Sequence, residues 1–160
     1  MKKLYICILF LFLVNMITAQ NNDCSKYSSD ENYFRYTASG TQEVINGNHS
    51  KAINESRKRA NIIAESELAK MVASVVTSVT EKMSLENDAY SEMIIDTSLV
   101  SSFGHFTGIK TVCQSDTELM NGFYVTYVTK EISLSVIGNM IDFDDRSDKK
   151  KFMELLRKEK

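Results

Sequence analysis

The stretch that decides the fold is KAINESRKRANIIAESELAKMVASVVTSVTEKM, residues 51–83. It contains no Gly, and the whole chain contains no Pro, so the usual helix breakers are missing from it. Charged side chains alternate with apolar or small ones that recur at a helical period. The pattern predicts one long helix from Lys51 to about Met83. Its apolar or small positions are Ala52, Ile53, Ala60, Ile63, Ala64, Leu68, Met71, Val72, Val75, Val76 and Val79.

The two ends of this helix carry different signals. The C-terminal third, VASVVTSVT over Val72–Thr80, is rich in β-branched residues, which are poorer helix formers and common in strands. A strand over Val72–Thr80 is therefore a second interpretation. At the other end, Asn46-Gly47 is typical of a turn, and Asn48 or Ser50 can cap the helix.

Three further segments have the composition or alternation of strands. YFRYTASGT, Tyr33–Thr41, precedes the helix, and FTGIKTVCQ, Phe106–Gln114, follows it. The third, GFYVTYVTKEI over Gly122–Ile132, comes after a predicted hairpin connection, SDTELMNG. One face of this last strand is predicted to carry Val125, Tyr127 and Thr129, and the other face Tyr124, Thr126 and Val128.

Two shorter helices complete the prediction. Apolar spacing favours a helix over Tyr90–Val100, although EMIIDTSLV within it could also pair as a strand. Leu134–Ile141 predicts another short helix. The sequence therefore predicts an α+β domain over residues 32–142: a small antiparallel three-stranded sheet packed on one long helix, plus shorter helices.

The first twenty residues have the three parts of a secretory signal peptide. Lys2 and Lys3 form the positive end, Leu4–Val14 is apolar, and cleavage after Ala19 or Gln20 fits the small or neutral residues there. The apolar run is shorter than the roughly 20 residues of a membrane-spanning helix. We therefore expect an exported protein of the periplasm or cell surface, with an uncleaved N-terminal anchor as the alternative.

Cys24 follows this segment closely but lacks the context of a lipidated cysteine. Lipidation requires small residues directly before the cysteine, whereas Asn21, Asn22 and Asp23 precede it. Residues 21–31 are polar and predict a flexible lead-in. Cys24 and Cys113 can pair in an oxidising compartment or remain free thiols, and the sequence does not decide between the two.

Charge restricts the partners of the mature chain. Loss of Lys2 and Lys3 leaves 17 of the 19 Lys and Arg residues against 21 Asp and Glu residues, a formal charge of −4. This acidity argues against nucleic acid as a partner. Residues 143–160 predict a charged C-terminal tail, solvated and partly disordered. The alternative is that Phe152, Leu155 and Leu156 contact a membrane surface or a partner.

The sequence predicts no catalytic, cofactor or metal site. Neither histidine, His49 or His105, has a second ligand at the spacing of a metal site. Cys113 has no adjacent elbow or Gly-rich turn that would present it as a nucleophile. The acidic run Asp142, Asp144 and Asp145 is typical of a solvated linker. We therefore expect a protein that is not an enzyme and has no cofactor.

The order of these features resembles the bacterial LPP-twenty lipoprotein family and the N-terminal domain of flagellar assembly protein T. The resemblance covers residues 33–132 and lies in a leading strand with Ala38-Ser39-Gly40, an alanine-spaced helix and a strand that begins Gly122-Phe123-Tyr124-Val125. It implies an exported α+β envelope domain that contacts other envelope components, with no catalytic residues. Because the lipidation box and the companion flagellar domains are missing, neither membrane anchoring nor motility is carried over. In the alanine-spaced helix of this resemblance, the alanines are Ala52, Ala60 and Ala64.

A small sheet can cover only part of so long a helix. We therefore expect part of the Val72–Val79 stripe to be exposed, and a large apolar patch usually marks an interface. This favours an envelope interaction or structural module whose partner is a protein, either a second copy or an envelope component. The alternative function is binding of a small ligand or lipid, with the apolar helix face and Tyr124 or Tyr127 lining a groove. Membrane contact is expected only through the C-terminal tail.

Overall fold

The computed structural model describes residues 23–86, 108–141, 143 and 145–159. A short 3-10 helix, Asp23–Lys26, is followed by strand β1, Tyr33–Glu43, and by the long helix α1, His49–Glu86. The remaining elements are β2 (Lys110–Gln114), β3 (Glu118–Met120), β4 (Phe123–Ser133), α2 (Leu134–Met140) and α3 (Arg146–Lys158). The helix predicted over Tyr90–Val100, His105 and the signal peptide over residues 1–20 lie outside the described residues.

The sheet is antiparallel and is built around β4. Strand β1 pairs with β4 along its whole length, from Tyr33 opposite Ser133 to Glu43 opposite Phe123. The other edge of β4 pairs with β2 in its second half and with β3 in its first half. The α+β class is confirmed, but the sheet has four strands where three were predicted. Strand β3 has only three residues, too few for an alternating pattern, and it lies in the predicted hairpin connection.

Helix α1 is continuous, so the predicted long helix is confirmed and the strand alternative over Val72–Thr80 is wrong. The helix is preceded by the predicted turn, in which Asn46 and Gly47 have φ values of 52° and 68°. Of the two candidate caps, Asn48 accepts the hydrogen bond: its Oδ1 lies 3.1 Å from the Lys51 amide nitrogen. Tertiary packing outweighs the weak helix propensity of the valines.

One stripe of α1 is buried from end to end. Its first half carries small residues, which allow close contact with β1 and β4, and its second half carries larger ones. Val72, Val76 and Val79 belong to the main core with Phe34 and Ile132. The buried residues of α1 are Ala52, Ser56, Ala60, Ala64, Leu68, Ala69, Val72, Val76, Val79 and Met83.

The closest approach of α1 to the sheet occurs at Gly40. A Cβ added to this residue would lie 2.2 Å from the Ser56 carbonyl oxygen and 2.3 Å from the Ala60 nitrogen. Because both neighbours are helix backbone, they cannot move aside without moving the helix. Only glycine fits the contact, and the small Ser56 and Ala60 on α1 complete it.

The C-terminal segment belongs to the folded domain. Helix α2 confirms the predicted short helix, and α3 follows it with Phe152 and Leu156 buried in the main core. The Phe152 ring lies 5.3 Å from that of Phe143. The interpretation of residues 143–160 as a solvated, partly disordered tail is therefore wrong. So is the expectation that part of the Val72–Val79 stripe is exposed, because α2 and α3 add the cover that the sheet does not supply.

The contact at Gly40 yields a stability prediction. We expect Gly40→Ala to lower the free energy of unfolding by about 1–3 kcal/mol or more, because the added methyl overpacks a rigid contact. The matched control is Ser39→Ala on the exposed neighbour, which should change stability by less than about 0.5 kcal/mol. Urea denaturation of both variants measures the difference. Equal midpoints for the two variants would contradict the close approach.

The core role of α3 yields a second prediction. Phe152→Ala should cost about 3–5 kcal/mol, because Phe152 is 2% exposed and its removal leaves a cavity. Lys150→Ala, on the exposed side of the same helix, controls for helix propensity. Thermal unfolding followed by circular dichroism distinguishes the two. If Phe152→Ala were as stable as Lys150→Ala, α3 would not be packed in the core.

Candidate interaction surfaces

A disulfide joins the N-terminal segment to the sheet. Cys24 in the 3-10 helix is bonded to Cys113 in β2, with the two Cα atoms 5.4 Å apart and a sequence separation of 89. Cys24 is fully buried. In this state Cys113 has no thiol, so it cannot act as a nucleophile.

The 3-10 helix lies against the face of the sheet opposite α1. The Cys24 carbonyl oxygen lies 3.2 Å from Thr129 Oγ1 and 3.4 Å from Thr37 Oγ1, both on that face. The two threonine hydroxyls are 2.7 Å apart. The lead-in predicted to be flexible over residues 21–31 is therefore held to the sheet by one covalent bond and several hydrogen bonds in the part that the structure describes.

An arginine fixes the rest of this segment beside β1. Arg35 Nε donates to Glu131 Oε2 at 2.8 Å, and its Nη1 donates to the Ser28 carbonyl and to Asp30. The backbone N–H of Asn32, together with Arg35 and the amide of Tyr33, holds the pKa of Asp30 below its ordinary value. Ser29 Oγ binds the backbone nitrogen of Arg35 at 2.9 Å and also lies 3.3 Å from its carbonyl oxygen. Residues 28–30 thus run along the first part of the outer edge of β1.

A chain of hydroxyl groups lies between α1 and the sheet. Ser56 Oγ donates to the Gly40 carbonyl at 3.0 Å, so its other contact, at 2.8 Å to Thr126 Oγ1, is one in which it accepts. Thr126 then accepts from Thr117 Oγ1 at 2.8 Å, and Thr117 accepts from Arg57 Nε at 2.9 Å. Every proton in the chain is committed, and Ser56 and Thr126 are fully buried. The chain therefore fixes helix to sheet and offers no activated nucleophile.

The one histidine within the described residues packs on a tyrosine. His49 Nδ1 lies 3.1 Å from the Tyr124 hydroxyl, and the rings are edge-on, with centroids 5.9 Å apart. Tyr124 is on the α1 face of β4, whereas Tyr127 is on the opposite face, as the alternation predicted. No carboxylate or thiol contacts His49 among the described residues.

The acidic run supplies a helix cap. Asp145 Oδ1 accepts from the Ser147 amide at 3.1 Å, and Oδ2 accepts from the Ser147 hydroxyl at 2.8 Å. These bonds, the hydroxyl first, lower the pKa of Asp145. Asp142 and Asp144 lie outside the described residues. Within the described ranges, no group of three or more His, Cys, Asp or Glu residues has the arrangement of a metal site.

An open cleft of about 560 Å³ lies where β1 ends and α1 begins. Its charged lining residues are Glu43, Lys51, Glu55 and Arg59. Their charges cancel, so the cleft does not favour a ligand of one sign. Neither Tyr124 nor Tyr127 lines it, and of the apolar stripe of α1 only Ala52 does, among the described residues.

Exposed large apolar side chains within the described residues include Tyr27, Ile45 and Leu119 and two pairs of neighbouring residues. Met120 and Phe123 are directly opposite each other on β3 and β4, on the face away from α1, and are 43% and 44% exposed. Ile62 and Ile63 are 57% and 43% exposed on α1. Sequence analysis assigned Ile63 to the buried stripe, but the buried positions advance as Ser56, Ala60 and Ala64. The i, i+4 spacing of these small residues, beside a strand glycine, was the signal that could have placed the stripe correctly.

Within the residues that the structure describes, no helix has both the length and the apolar character needed to cross a membrane. Comparison of the chain with known protein families, with curated proteins and with solved structures finds no match.

The disulfide yields a third prediction. Replacing Cys24 and Cys113 together by Ala should lower the free energy of unfolding by about 2–4 kcal/mol, because the bond closes a long loop in the unfolded chain. Reducing agent should lower the stability of the unmodified protein similarly and leave the double variant unchanged. A double variant as stable as the oxidised protein would contradict the structural role of the bond.

Proposed function

We propose that this protein is an exported module of the bacterial cell envelope that acts through protein contacts and carries out no catalysis. The observation that carries the proposal is the disulfide between Cys24 and Cys113. Disulfides form and persist in oxidising compartments and are rare in the cytosol. Cys24 lies four residues after the segment that has the composition of a signal peptide, so both observations favour export.

The noncatalytic part of the proposal rests on the chemistry of the described side chains. The serine and threonines between α1 and the sheet have their protons committed to a carbonyl and to one another. Cys113 is held in a disulfide bond. His49 contacts the hydroxyl of Tyr124, and no carboxylate or thiol contacts it among the described residues. General acid–base or nucleophilic catalysis requires a base within hydrogen-bond reach of the group it activates.

The contact part of the proposal rests on surface composition. Met120 and Phe123 present apolar area beside the half-buried Val125 and Tyr127 on the same face. Apolar side chains grouped in this way are common at protein interfaces. The resemblance to envelope lipoprotein domains agrees with this role.

The alternative, a periplasmic protein that binds a small ligand or lipid, has less support. Apart from Ala52, which lines the cleft, the apolar stripe of α1 is buried against the sheet, α2 and α3, so it forms no long apolar groove in the part of the chain that the structure describes. The cleft beside Lys51 and Arg59 is open and of mixed charge. Native mass spectrometry of the purified protein would favour this alternative if a ligand were retained.

Export is tested by expressing the full chain in a bacterial host and measuring the mass of the purified product. We expect a chain that begins at Gln20 or Asn21, found in the periplasmic or surface fraction. We also expect a mass lower by two hydrogen atoms than that of the fully reduced chain. A cytosolic product that retains Met1 and free thiols would contradict the proposal.

A further inference from the structure

Among the strands that the structure describes, none pairs with the outer edge of β1. Strand β1 pairs with β4 on one side, and neither β2 nor β3 lies on its other side. The Leu134 amide donates to the Asn32 carbonyl and the Val44 amide to the Gly122 carbonyl, so the even-numbered positions face β4. Because the backbone N–H and C=O groups of successive residues point to opposite sides of a strand, those of the odd-numbered residues of β1 point away from β4.

The backbone N–H and C=O groups of β1 that point away from β4 fall into two sets. Those of Tyr33 and Arg35 are bonded to Asp30 and Ser29. The second set belongs to Thr37, Ser39, Thr41 and Glu43. In this set the described residues supply two side-chain partners: Arg59 Nη1 lies 3.3 Å from the Thr41 carbonyl oxygen, and Gln42 Nε2 lies 3.3 Å from the Glu43 carbonyl oxygen. A carbonyl oxygen has two lone pairs, so both carbonyls can still accept an amide.

The edge of the sheet formed by β2 and β3 carries features that prevent pairing with another strand, and the outer edge of β1 over residues 37–42 lacks them. Strand β2 has five residues, a register irregularity between Thr111 and Cys113, and a lysine at Lys110. Strand β3 has only three residues. Short strands, bulges and lysines are the usual means of preventing edge-to-edge pairing. In contrast, the segment 37–42 of β1, TASGTQ, contains no charge and no Pro.

We propose that the outer edge of β1 over residues 37–43 pairs antiparallel with the same edge of a second copy of this chain. A two-fold axis at Gly40 places Thr37 opposite Glu43 of the second copy and Ser39 opposite its Thr41. This register uses all four outward-facing positions of both copies and stops before Arg35, where Ser29 occupies the edge. Opposed residues share a face, so the two copies of α1 lie on the same side of one continuous sheet.

Charge and apolar exposure identify the occupant as a second copy in antiparallel orientation. The outward-facing positions carry Arg35 near one end and Glu43 at the other, so antiparallel self-pairing brings unlike charges together diagonally and parallel pairing brings like charges together. Arg59 reaches β1, so its flank of α1 faces the free edge, whereas Asn61 reaches Gln114 on the other side of the sheet. Ile63 follows Arg59 by one helical turn and is exposed on the same flank. Pairing therefore buries Ile63 between the two helices.

This inference rests on the proposed function in protein contacts, because it specifies a second copy of the chain as the partner. It is tested separately from export, since self-association is measured on the purified oxidised protein wherever that protein is found in the cell.

The test is sedimentation equilibrium over a range of concentrations, with the variants Ser39→Pro and Ser39→Ala. We expect the unmodified protein and Ser39→Ala to dimerise. Ser39→Pro should raise the dimer dissociation constant about tenfold or more, because proline removes an outward amide and blocks the approach of a strand. That amide has no acceptor within the described part of the chain, so the monomer keeps its fold. Ile63→Glu should also weaken the dimer, whereas Leu119→Glu, at an exposed apolar position on β3, should not.

Hydrogen exchange measured by NMR supplies a readout that does not depend on a proline variant. The amides of Thr37, Ser39, Thr41 and Glu43 should gain protection as the protein concentration rises, whereas that of Ala38, bonded to β4, should be protected throughout. A protein that stays monomeric overturns the proposal. So does a dimer that Ser39→Pro and Ile63→Glu leave intact, or one in which the outward amides exchange freely.

Discussion

The structure depends on the close contact between α1 and β1 at Gly40. Helix backbone at Ser56 and Ala60 occupies the space that a side chain on Gly40 would fill. This proximity lets Ser56 Oγ reach both the Gly40 carbonyl and Thr126, so a single serine binds the helix to two strands. The small first half of the stripe follows from the same constraint, because larger residues there would lift the helix away from the sheet.

The second half of α1 is held differently. There the sheet contributes Phe34 and Ile132, and α2 and α3 complete the cover over the valines. The opposite face of the sheet is covered in part by the 3-10 helix through the disulfide and the carbonyl of Cys24. The domain therefore has its main apolar core beside the second half of α1. A smaller cluster of Ala38, Ala60, Ala64 and Val128 lies beside the first half, together with the hydroxyl groups of Ser56 and Thr126. Within the described residues, the parts left uncovered are the end of the sheet at Met120 and Phe123, the outer edge of β1 over residues 37–43, and the flank of α1 that carries Ile63.

Local patterns in the sequence predicted most of the elements, and contacts between distant segments accounted for the errors. The long helix, the Asn46-Gly47 turn and the alternation of β4 are readable because each depends on neighbouring residues. The buried position of Phe152 cannot be predicted in this way. A lysine-rich amphipathic segment has the same composition whether it packs against a core or remains in solvent. Strand β3 is too short to show a period. The position of Ser56 in the stripe was missed because serine does not register as apolar, although its spacing from Ala60 and Ala64 fits the buried face.

The architecture depends on contact between Gly40 and the backbone of α1 in solution, and a nuclear Overhauser experiment on the oxidised protein measures this contact most directly. The geometry predicts a strong cross-peak between an Hα proton of Gly40 and the amide proton of Ala60, with weaker ones to Ser56. If the Gly40 protons show cross-peaks only within the sheet, the helix is not held against β1. In that case the packing described here, and the free edge that follows from it, would be contradicted.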